Sequence, residues 1–172
     1  MFSSLGLSPA ACASLSRLGY VTPTPIQSEA IPRVLTGVDL LARAQTGTGK
    51  TAAFGLPMIE RLMIKGGAAR GARTPRALIL VPTRELAAQV HKSLSTYAVP
   101  ANLRVIALFG GVSIVPQKKE LARGTDIIVA TPLRLVDLIK GKEVDLSSIE
   151  VVVVDEADRM ADDGFTPQVE WI

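Results

Sequence analysis

Residues 44–51, Ala-Gln-Thr-Gly-Thr-Gly-Lys-Thr, have the side chains and spacing that could hold a phosphate group. Gly47 and Gly49 permit backbone angles that turn successive N–H groups toward an anion. Lys50 can reach the outer phosphates of a nucleotide, and the Thr51 hydroxyl can ligate Mg²⁺. An alanine replaces the first glycine of the strict phosphate-loop pattern, whereas its Gly-Lys-Thr end is kept. The motif therefore favours a nucleotide-phosphate site over a glycine turn followed by a surface lysine.

A second candidate group, Asp155-Glu156-Ala157-Asp158, directly follows four valines. A carboxylate at the end of a buried strand is typical of the group that holds Mg²⁺ in phosphate-loop enzymes. Asp155 fits that metal role, and Glu156 is placed to orient or deprotonate an attacking water. An acidic helix N-terminus is the alternative, because Asp and Glu are favoured in first turns. The two motifs together favour phosphate chemistry, with Lys50, Asp155 and Glu156 as the candidate catalytic residues.

Five apolar runs predict the strands that position these motifs. The runs lie at 39–44, 77–83, 104–111, 126–132 and 150–158. Helical patterns before and between them lie at 8–17, 25–35, 50–64, 84–97, 113–122 and 132–139. Continuous β-branched runs are typical of strands buried on both faces of a parallel sheet, and the intervening helices complete βαβ units. We therefore predict an α/β fold with a doubly wound, mostly parallel sheet, in which the motifs share the carboxyl edge of the strands.

The composition favours a single globular domain located in the cytoplasm. Almost half of the 172 residues are apolar and a fifth are charged, which excludes a disordered chain. Cys12 is the only cysteine and His91 the only histidine, which excludes an internal disulfide and a Cys/His zinc site. No apolar run approaches the roughly 18 residues of a transmembrane helix, and no signal peptide is evident. We therefore expect no membrane partner.

The net charge of +3 is distributed unevenly along the chain. Residues 61–123 hold eleven Lys/Arg and two Asp/Glu, whereas residues 124–172 hold four and eleven. A basic middle and an acidic end predict separate surfaces for an anionic polymer and for a metal ion. Solvated faces with segregated charge are the alternative. The Gly- and Arg-rich segment at 65–76 is predicted to be a mobile connector.

With the Asp-Glu-Ala-Asp tetrad in place, the chain resembles the first RecA-like domain of a DEAD-box RNA helicase, and most the bacterial RhlE-type group. The resemblance covers essentially the whole chain, and the motifs occur in the family's order. The matching stretches are 44–51 (motif I), 82–89 (motif Ia), Gly110-Gly111 (the GG element), 131–135 (motif Ib) and 155–158 (motif II). The resemblance implies a RecA-like P-loop NTPase domain that uses ATP and Mg²⁺, with Thr51 and Asp155 at the metal.

Residues 19–27 resemble the family's Q motif, which selects adenine. The implied role of Gln27 is to donate to and accept from the adenine edge, which a side-chain amide can do at once. Phe2 lies where the family has an aromatic residue that stacks on the base. From the residues alone, the alternative is a turn, an ordinary helical glutamine and a frayed terminus. The implied nucleotide-binding residues are Phe2, Tyr20, Thr22, Gln27, Gln45, Thr46, Gly47, Thr48, Gly49, Lys50 and Thr51.

The resemblance also implies sequence-independent binding of single-stranded RNA through its phosphates and sugars. The implied RNA-binding residues are Pro82, Thr83, Arg84, Gly110, Gly111, Thr131, Pro132 and Arg134. The alternative for 82–85 is a helix N-terminus in which Arg84 is a solvated charge. Leu133 stands where the family usually has glycine, which puts motif Ib in question.

The resemblance divides the chain into a Q-motif region at 1–36 and a RecA-like domain at 37–172. We expect a longer protein that continues into a Ser-Ala-Thr motif, with which Asp158 would couple, and into a second RecA-like domain. The implied function is RNA-stimulated ATP hydrolysis coupled to local duplex unwinding, with little unwinding by this part alone. The alternatives are a P-loop ATPase acting on DNA or protein, and a non-catalytic, nucleotide-gated RNA-binding module.

Overall fold

The computed structural model describes residues 1–45, 47–64 and 74–172, and these fall into two compact units. The first unit holds the described residues up to 64 together with 93–102. The second unit holds the described residues from 74 to 92 together with 103–172. Within these ranges, no helix has the length and apolar character needed to cross a membrane.

The first unit is helical. It contains a 3-10 helix at Phe2–Leu5, α1 at Pro9–Arg17, α2 at Pro25–Thr36, α3 at Lys50–Ile64 and a 3-10 helix at Val99–Ala101. The sequence sets where α1 and α2 begin, because each has a hydroxyl residue followed by proline at its start. The α2 helix packs against α3 over a core that includes Ile31, Met58 and Leu62.

The second unit is built on a parallel sheet. Its described strands are β1 (Ala77–Leu80), β2 (Val105–Leu108), β3 (Ile127–Ala130) and β4 (Val151–Val154), in the order β2-β3-β1-β4. The flanking helices are α4 (Arg84–Tyr97), α5 (Ile114–Ala122), α6 (Pro132–Lys140), α7 (Ala157–Asp162) and α8 (Thr166–Trp171). The last residues of α4 are counted with the first unit. The predicted α/β class with parallel strands is confirmed.

Burial distinguishes the inner strands from one edge of the sheet. All four residues of β1 and of β3 are buried, as their continuous apolar sequences predict. In β4, by contrast, Val152 is 56% and Val154 is 41% exposed. The prediction of burial on both faces is therefore wrong for β4, whose exposed residues alternate along the strand and so lie on one face of the sheet.

The prediction of a strand at 39–44 is also wrong. These residues, all of them described, form no strand, and Leu41 is 93% exposed. They belong to the first unit, whose described residues include no strand to pair with. An extended segment without a partner leaves its backbone groups to water, so apolar composition alone does not make a strand. The predicted connector at 65–76 lies mostly outside the described residues.

Candidate nucleotide and nucleic-acid sites

The glycine loop leads directly into α3. Gly47 and Gly49 have φ of +82° and +87°, in the left-handed region that favours glycine. The Gln45 carbonyl accepts hydrogen bonds from the Thr48 hydroxyl (2.7 Å) and the Thr48 N–H (3.4 Å). Lys50 begins α3, so the helix N-terminus and its partial positive charge lie at the end of the loop. This arrangement fits a bound phosphate; Thr46 lies outside the described residues.

Gln27 joins the Q-motif segment to the last glycine of the loop. Its amide oxygen accepts a hydrogen bond from the Thr24 N–H (3.0 Å), and its amide nitrogen donates to the Gly49 carbonyl (3.2 Å). Gln27 is only 2% exposed. A Cβ at Gly49 would collide with the Gln27 amide nitrogen, whereas one at Gly47 would meet open space. The structure thus brings two predicted nucleotide residues together, and the adenine contact of Gln27 stays a prediction.

Three aromatic rings form a row beside this segment. Phe2 lies edge-on to Tyr20 at 6.4 Å between ring centroids, and Tyr20 lies edge-on to Tyr97 at 6.0 Å. The two tyrosine hydroxyls are hydrogen-bonded at 2.8 Å. Phe2 is 4% exposed, so the structure packs it against the protein, and base stacking by Phe2 stays a prediction. Thr22, by contrast, is exposed.

Tyr97 was not among the predicted residues. Burial and the hydrogen bond to Tyr20 raise the pKa of Tyr97 well above its ordinary value, so its hydroxyl stays protonated. The two tyrosines that meet here are the only two in the chain. They are 77 positions apart, and local periodicity carries no signal of such a contact.

A buried carboxylate in α3 was also missed. Glu60 is 5% exposed, and its Oε1 accepts from the Ser8 N–H (3.1 Å) and the Ser8 hydroxyl (2.6 Å). The Ser8 hydroxyl in turn accepts from the Ala11 N–H at the start of α1 (3.2 Å). Burial, and secondarily the Glu60 charge, raises the pKa of the Cys12 thiol. Glu60 therefore ties the N-terminal helix to the helix that begins with Lys50.

The acidic tetrad begins where β4 ends. The Asp155 N–H donates to the Leu80 carbonyl at 3.0 Å, which continues the pairing of β4 with β1. The Asp155 Oδ1 accepts from the Glu156 N–H at 3.0 Å. Glu156 has φ +51° and ψ +47°, a left-handed conformation that costs a non-glycine residue about 1–2 kcal/mol. Asn102 and Lys142 adopt the same left-handed conformation outside the candidate sites, so the chemical role of Glu156 stays a prediction.

The chain has oxygen donors of the type that Mg²⁺ prefers, and the predicted joint role of Thr51 and Asp155 at the metal stays a prediction. Among the described residues, no group of three or more His, Cys, Asp and Glu could hold a metal ion. Mg²⁺ does not need such a cage, because it is commonly bound through one or two protein oxygens and the phosphates of a substrate. The Thr51 hydroxyl, in the first turn of α3, and the Asp155 carboxylate are oxygen donors of the required type.

The predicted RNA residues of motif Ia lie at the start of α4. The Thr83 hydroxyl accepts from the Leu86 N–H (3.2 Å), which caps the helix. The Arg84 guanidinium donates to the Glu85 carboxylate at 3.1 and 3.2 Å on an exposed surface. The Glu85 backbone N–H and Arg84 lower the pKa of that carboxyl. An exposed ion pair of this kind is weak, so Arg84 can exchange Glu85 for a phosphate at small cost.

Motif Ia, the GG element and motif Ib come together in the second unit. Gly111 has φ +77°, and a Cβ there would lie 3.5 Å from the Arg84 guanidinium. The Arg134 guanidinium donates to the Val112 carbonyl at 2.9 Å. Thr131 is the N-cap of α6, and its N–H donates to the Leu108 carbonyl at 2.9 Å. Pro82 and Pro132 are buried, so their side chains are not on this surface.

A parallel sheet flanked by helices, together with a glycine loop that opens a helix, defines an α/β domain of the RecA-like nucleotide-binding class. The family model described as DEAD/DEAH box helicase matches residues 24–172. This chain belongs to that family, which confirms the resemblance to the first domain of a DEAD-box helicase.

Several known proteins are similar to the chain. DEAD-box ATP-dependent RNA helicase 52A of Oryza sativa subsp. japonica is 45% identical over 99% of this chain and 30% of the relative. RNA helicase CrhR of Synechocystis is 46% identical over 99% of this chain and 33% of the relative. The crystal structure of the RNA helicase Prp28 of Chaetomium thermophilum bound to ADP has a TM-score of 0.90 and 42% identity, over 98% of this chain and 41% of that one. The chain thus spans about a third of the length of these curated relatives.

Proposed function

We propose that this chain is the ATP-binding domain of an ATP-dependent RNA helicase, in which RNA stimulates ATP hydrolysis and hydrolysis drives local duplex unwinding. The observation that carries the proposal is the Gln27 bridge. It connects the segment proposed to select adenine to Gly49, the last glycine of the proposed phosphate loop. The Gln27 oxygen completes the capping box at the start of α2, so one buried side chain fixes both that helix start and the end of the proposed phosphate loop.

The proposed nucleotide contacts follow from this arrangement. The Gly47 and Gly49 region and the α3 N-terminus bind the phosphates, and Lys50 neutralises the outer ones. Thr51 and Asp155 are the proposed oxygen ligands of Mg²⁺, which when bound offsets the charge that develops on the transferred phosphoryl group. Glu156 is the proposed base that orients or deprotonates water.

The proposed RNA contacts lie in the second unit, where Arg84 and Gly111 are exposed and Arg134 is half-buried. Arg84, Gly111 and Arg134 lie near one another there. Arg84 and Gly111 belong to the part of the chain with excess positive charge, and Arg134 adds a further guanidinium from α6. Such groups contact phosphate and sugar without reading sequence. Leu133, which is 53% exposed, adds an apolar side chain to the N-terminus of α6, next to Arg134.

The whole protein is proposed to continue beyond this chain into a second RecA-like domain. Asp158 is exposed, and its Oδ1 accepts from the Arg159 N–H, so it is accessible for the proposed coupling role. An RhlE-type subgroup and a cytoplasmic location are part of the same proposal, as is the division into a Q-motif region and a RecA-like domain. The ADP-bound state of the similar Prp28 structure supports an adenine nucleotide as ligand.

The test is ATP hydrolysis by the full-length protein with and without single-stranded RNA. We expect RNA to stimulate hydrolysis, DNA of the same length to do so much less, and Glu156→Gln to lower the rate by at least about 100-fold. Asp162→Asn, which removes one carboxylate from the exposed surface of α7, is the matched control and should hydrolyse ATP at the normal rate. Equal stimulation by DNA would contradict the RNA assignment, and absence of hydrolysis under all conditions would indicate a non-catalytic binding module.

A further inference from the structure

Gln117 in α5 is a buried polar side chain that the predicted sites leave unused. It is 8% exposed. Its amide nitrogen donates to the Phe109 carbonyl at 3.0 Å, and its amide oxygen accepts from the Phe109 N–H at 3.2 Å. Both polar groups of one backbone residue are therefore held by one side chain. Burial of an amide is costly unless it is hydrogen-bonded, so this contact accounts for a polar residue in the interior.

The contact lies just past the end of a strand. The β2 strand ends at Leu108, whose carbonyl accepts from the Thr131 N–H at the end of β3. At Phe109, one residue further, the Gln117 amide offers the donor and the acceptor that a neighbouring strand would otherwise provide. Gln117 therefore fixes the direction in which the chain leaves the sheet.

Gly110 and Gly111 follow immediately, and the next residue is also held. The Arg134 guanidinium donates to the Val112 carbonyl at 2.9 Å. The two glycines thus lie between one backbone residue held from α5 and another held from α6. Gly111 is exposed and lies beside Arg84. Without side chains of their own, the glycines depend on these two attachments for their position.

We propose that Gln117 is a positioning residue for RNA binding, which holds the backbone of Gly110 and Gly111 beside Arg84 in the conformation that contacts the RNA phosphates and sugars. Gln117 itself does not touch RNA in this account. The inference rests on the proposed RNA-binding function. Its physical basis is preorganisation, because a loop that is loose before binding must be ordered at the expense of affinity.

The test uses Gln117→Met, which keeps the length of the side chain and removes both hydrogen bonds without adding charge. The chain is titrated into fluorescein-labelled single-stranded RNA, and binding is followed by fluorescence anisotropy. We expect about tenfold weaker RNA binding, which corresponds to ordering one or two backbone residues. Hydrogen exchange at the Phe109 amide should become faster in the same variant. Affinity for fluorescent ADP should stay within about twofold, since no change is made in the first unit.

Leu121→Ala is the matched control. Leu121 lies one turn further along α5 and packs against the core, so its truncation weakens the attachment of the helix while leaving the Gln117 amide in place. It should reduce the free energy of unfolding but change RNA affinity less than about twofold. Gln117→Ala leaves space for water to reach Phe109, so its loss of RNA affinity should be smaller than that of Gln117→Met. It replaces Gln117→Met in the test if the methionine variant does not fold.

The outcomes separate the inference from the function on which it rests. If the unmodified chain binds RNA and both Gln117 variants bind it equally well, the positioning role is overturned while RNA binding stands. Equal losses in Gln117→Met and Leu121→Ala would also overturn it, because they would show general loosening of α5. If the unmodified, folded chain shows no RNA binding, the proposed function fails first.

Discussion

At the scale of single residues, the two glycines of the phosphate loop have different reasons to be glycine. Both have positive φ, which disfavours any other residue. Only Gly49 also has a close neighbour, the Gln27 amide, in the space that a Cβ would occupy. The sequence motif marks the two positions alike, and the structure separates a backbone requirement at Gly47 from a backbone and packing requirement at Gly49.

Gly49→Ala should therefore be more damaging than Gly47→Ala. We expect Gly47→Ala to lower the free energy of unfolding by about 1 kcal/mol through backbone strain alone. Gly49→Ala should lower it by about 2–3 kcal/mol, because it also displaces the buried Gln27 amide from its partners. Urea denaturation of both variants measures the difference. Equal effects of the two substitutions would show that the Gln27 contact does not constrain the loop.

The hydrogen-bonded tyrosine pair predicts a stability that depends on pH. The pKa of Tyr97 is raised in the folded state, whereas an unfolded tyrosine titrates near pH 10. The folded state therefore favours the protonated phenol, and this contribution is complete below about pH 10 and is lost progressively as the pH rises above that value.

Tyr97→Phe removes the titrating group and is the variant that tests this prediction. The free energy of unfolding of the unmodified chain should fall more steeply between about pH 10 and pH 11 than that of Tyr97→Phe. Chemical denaturation at a series of pH values gives both curves. Parallel curves would show that the phenol of Tyr97 is not sequestered in the folded state.

At the scale of elements, the N-terminal helix is attached to the phosphate-loop helix by one buried carboxylate. Glu60 in α3 accepts both hydrogen bonds from Ser8, which in turn caps α1. Through this contact, the segment that carries Phe2 and Tyr20 is connected to the helix that begins with Lys50. The first unit therefore depends on a polar anchor as well as on its apolar core.

Glu60→Ala should detach α1 from α3. It leaves the N–H and the hydroxyl of Ser8 without their acceptor, and we expect a loss of about 2–3 kcal/mol in the free energy of unfolding. Glu60→Gln keeps an oxygen acceptor of the same length and should lose less than about 1 kcal/mol. Urea denaturation is the measurement, with hydrogen exchange in α1 as a local readout. An alanine variant as stable as the glutamine variant would contradict the anchoring role.

The sequence predicts most elements, because their signals are local. A serine or threonine followed by proline marks the start of α1, α2 and α6. Together with apolar periodicity, it places these helices to within about one residue of their observed bounds. The strand predicted at 39–44 fails because pairing is a property of two segments, and composition describes only one. The contacts of Gln117, Glu60 and Tyr97 were missed, because a contact between polar residues far apart in the sequence has no local pattern.

The candidate sites were predictable to different degrees for the same reason. The glycine loop and the acidic tetrad are contiguous, so their residue types alone indicate phosphate and metal chemistry. Other features could be seen only in the three-dimensional structure. They are the contact of Gln27 with the loop and the proximity of Arg84, Gly111 and Arg134. The strained backbone of Glu156 also has no sequence signature, since glutamate rarely adopts that conformation.

At the scale of the whole molecule, the chain belongs to the DEAD/DEAH box helicase family and spans about a third of the curated relatives described above. The residues proposed for nucleotide phosphate lie in the first unit, and those proposed for RNA lie in the second. In phosphoryl transfer, a charge-stabilising arginine is worth about 10³–10⁵ in rate, and we propose that the second RecA-like domain of the whole protein supplies it. We therefore expect this chain alone to bind nucleotide while hydrolysing ATP very slowly.

We propose that the glycine loop binds an adenine nucleotide with the help of Gln27. The most direct measurement is a titration of fluorescent ADP and GDP into this chain with Mg²⁺, alongside Lys50→Ala and Gln27→Ala. Lys119→Ala removes an exposed lysine from the second unit and is the control. We predict that ADP binds in preference to GDP and that Lys50→Ala weakens ADP binding at least about tenfold.

Gln27→Ala should remove the preference for ADP and also weaken the remaining binding, because Gly49 loses its support. The control variant should bind ADP as tightly as the unmodified chain does. A folded chain that binds neither nucleotide, or a Lys50→Ala variant that binds ADP normally, would contradict the account.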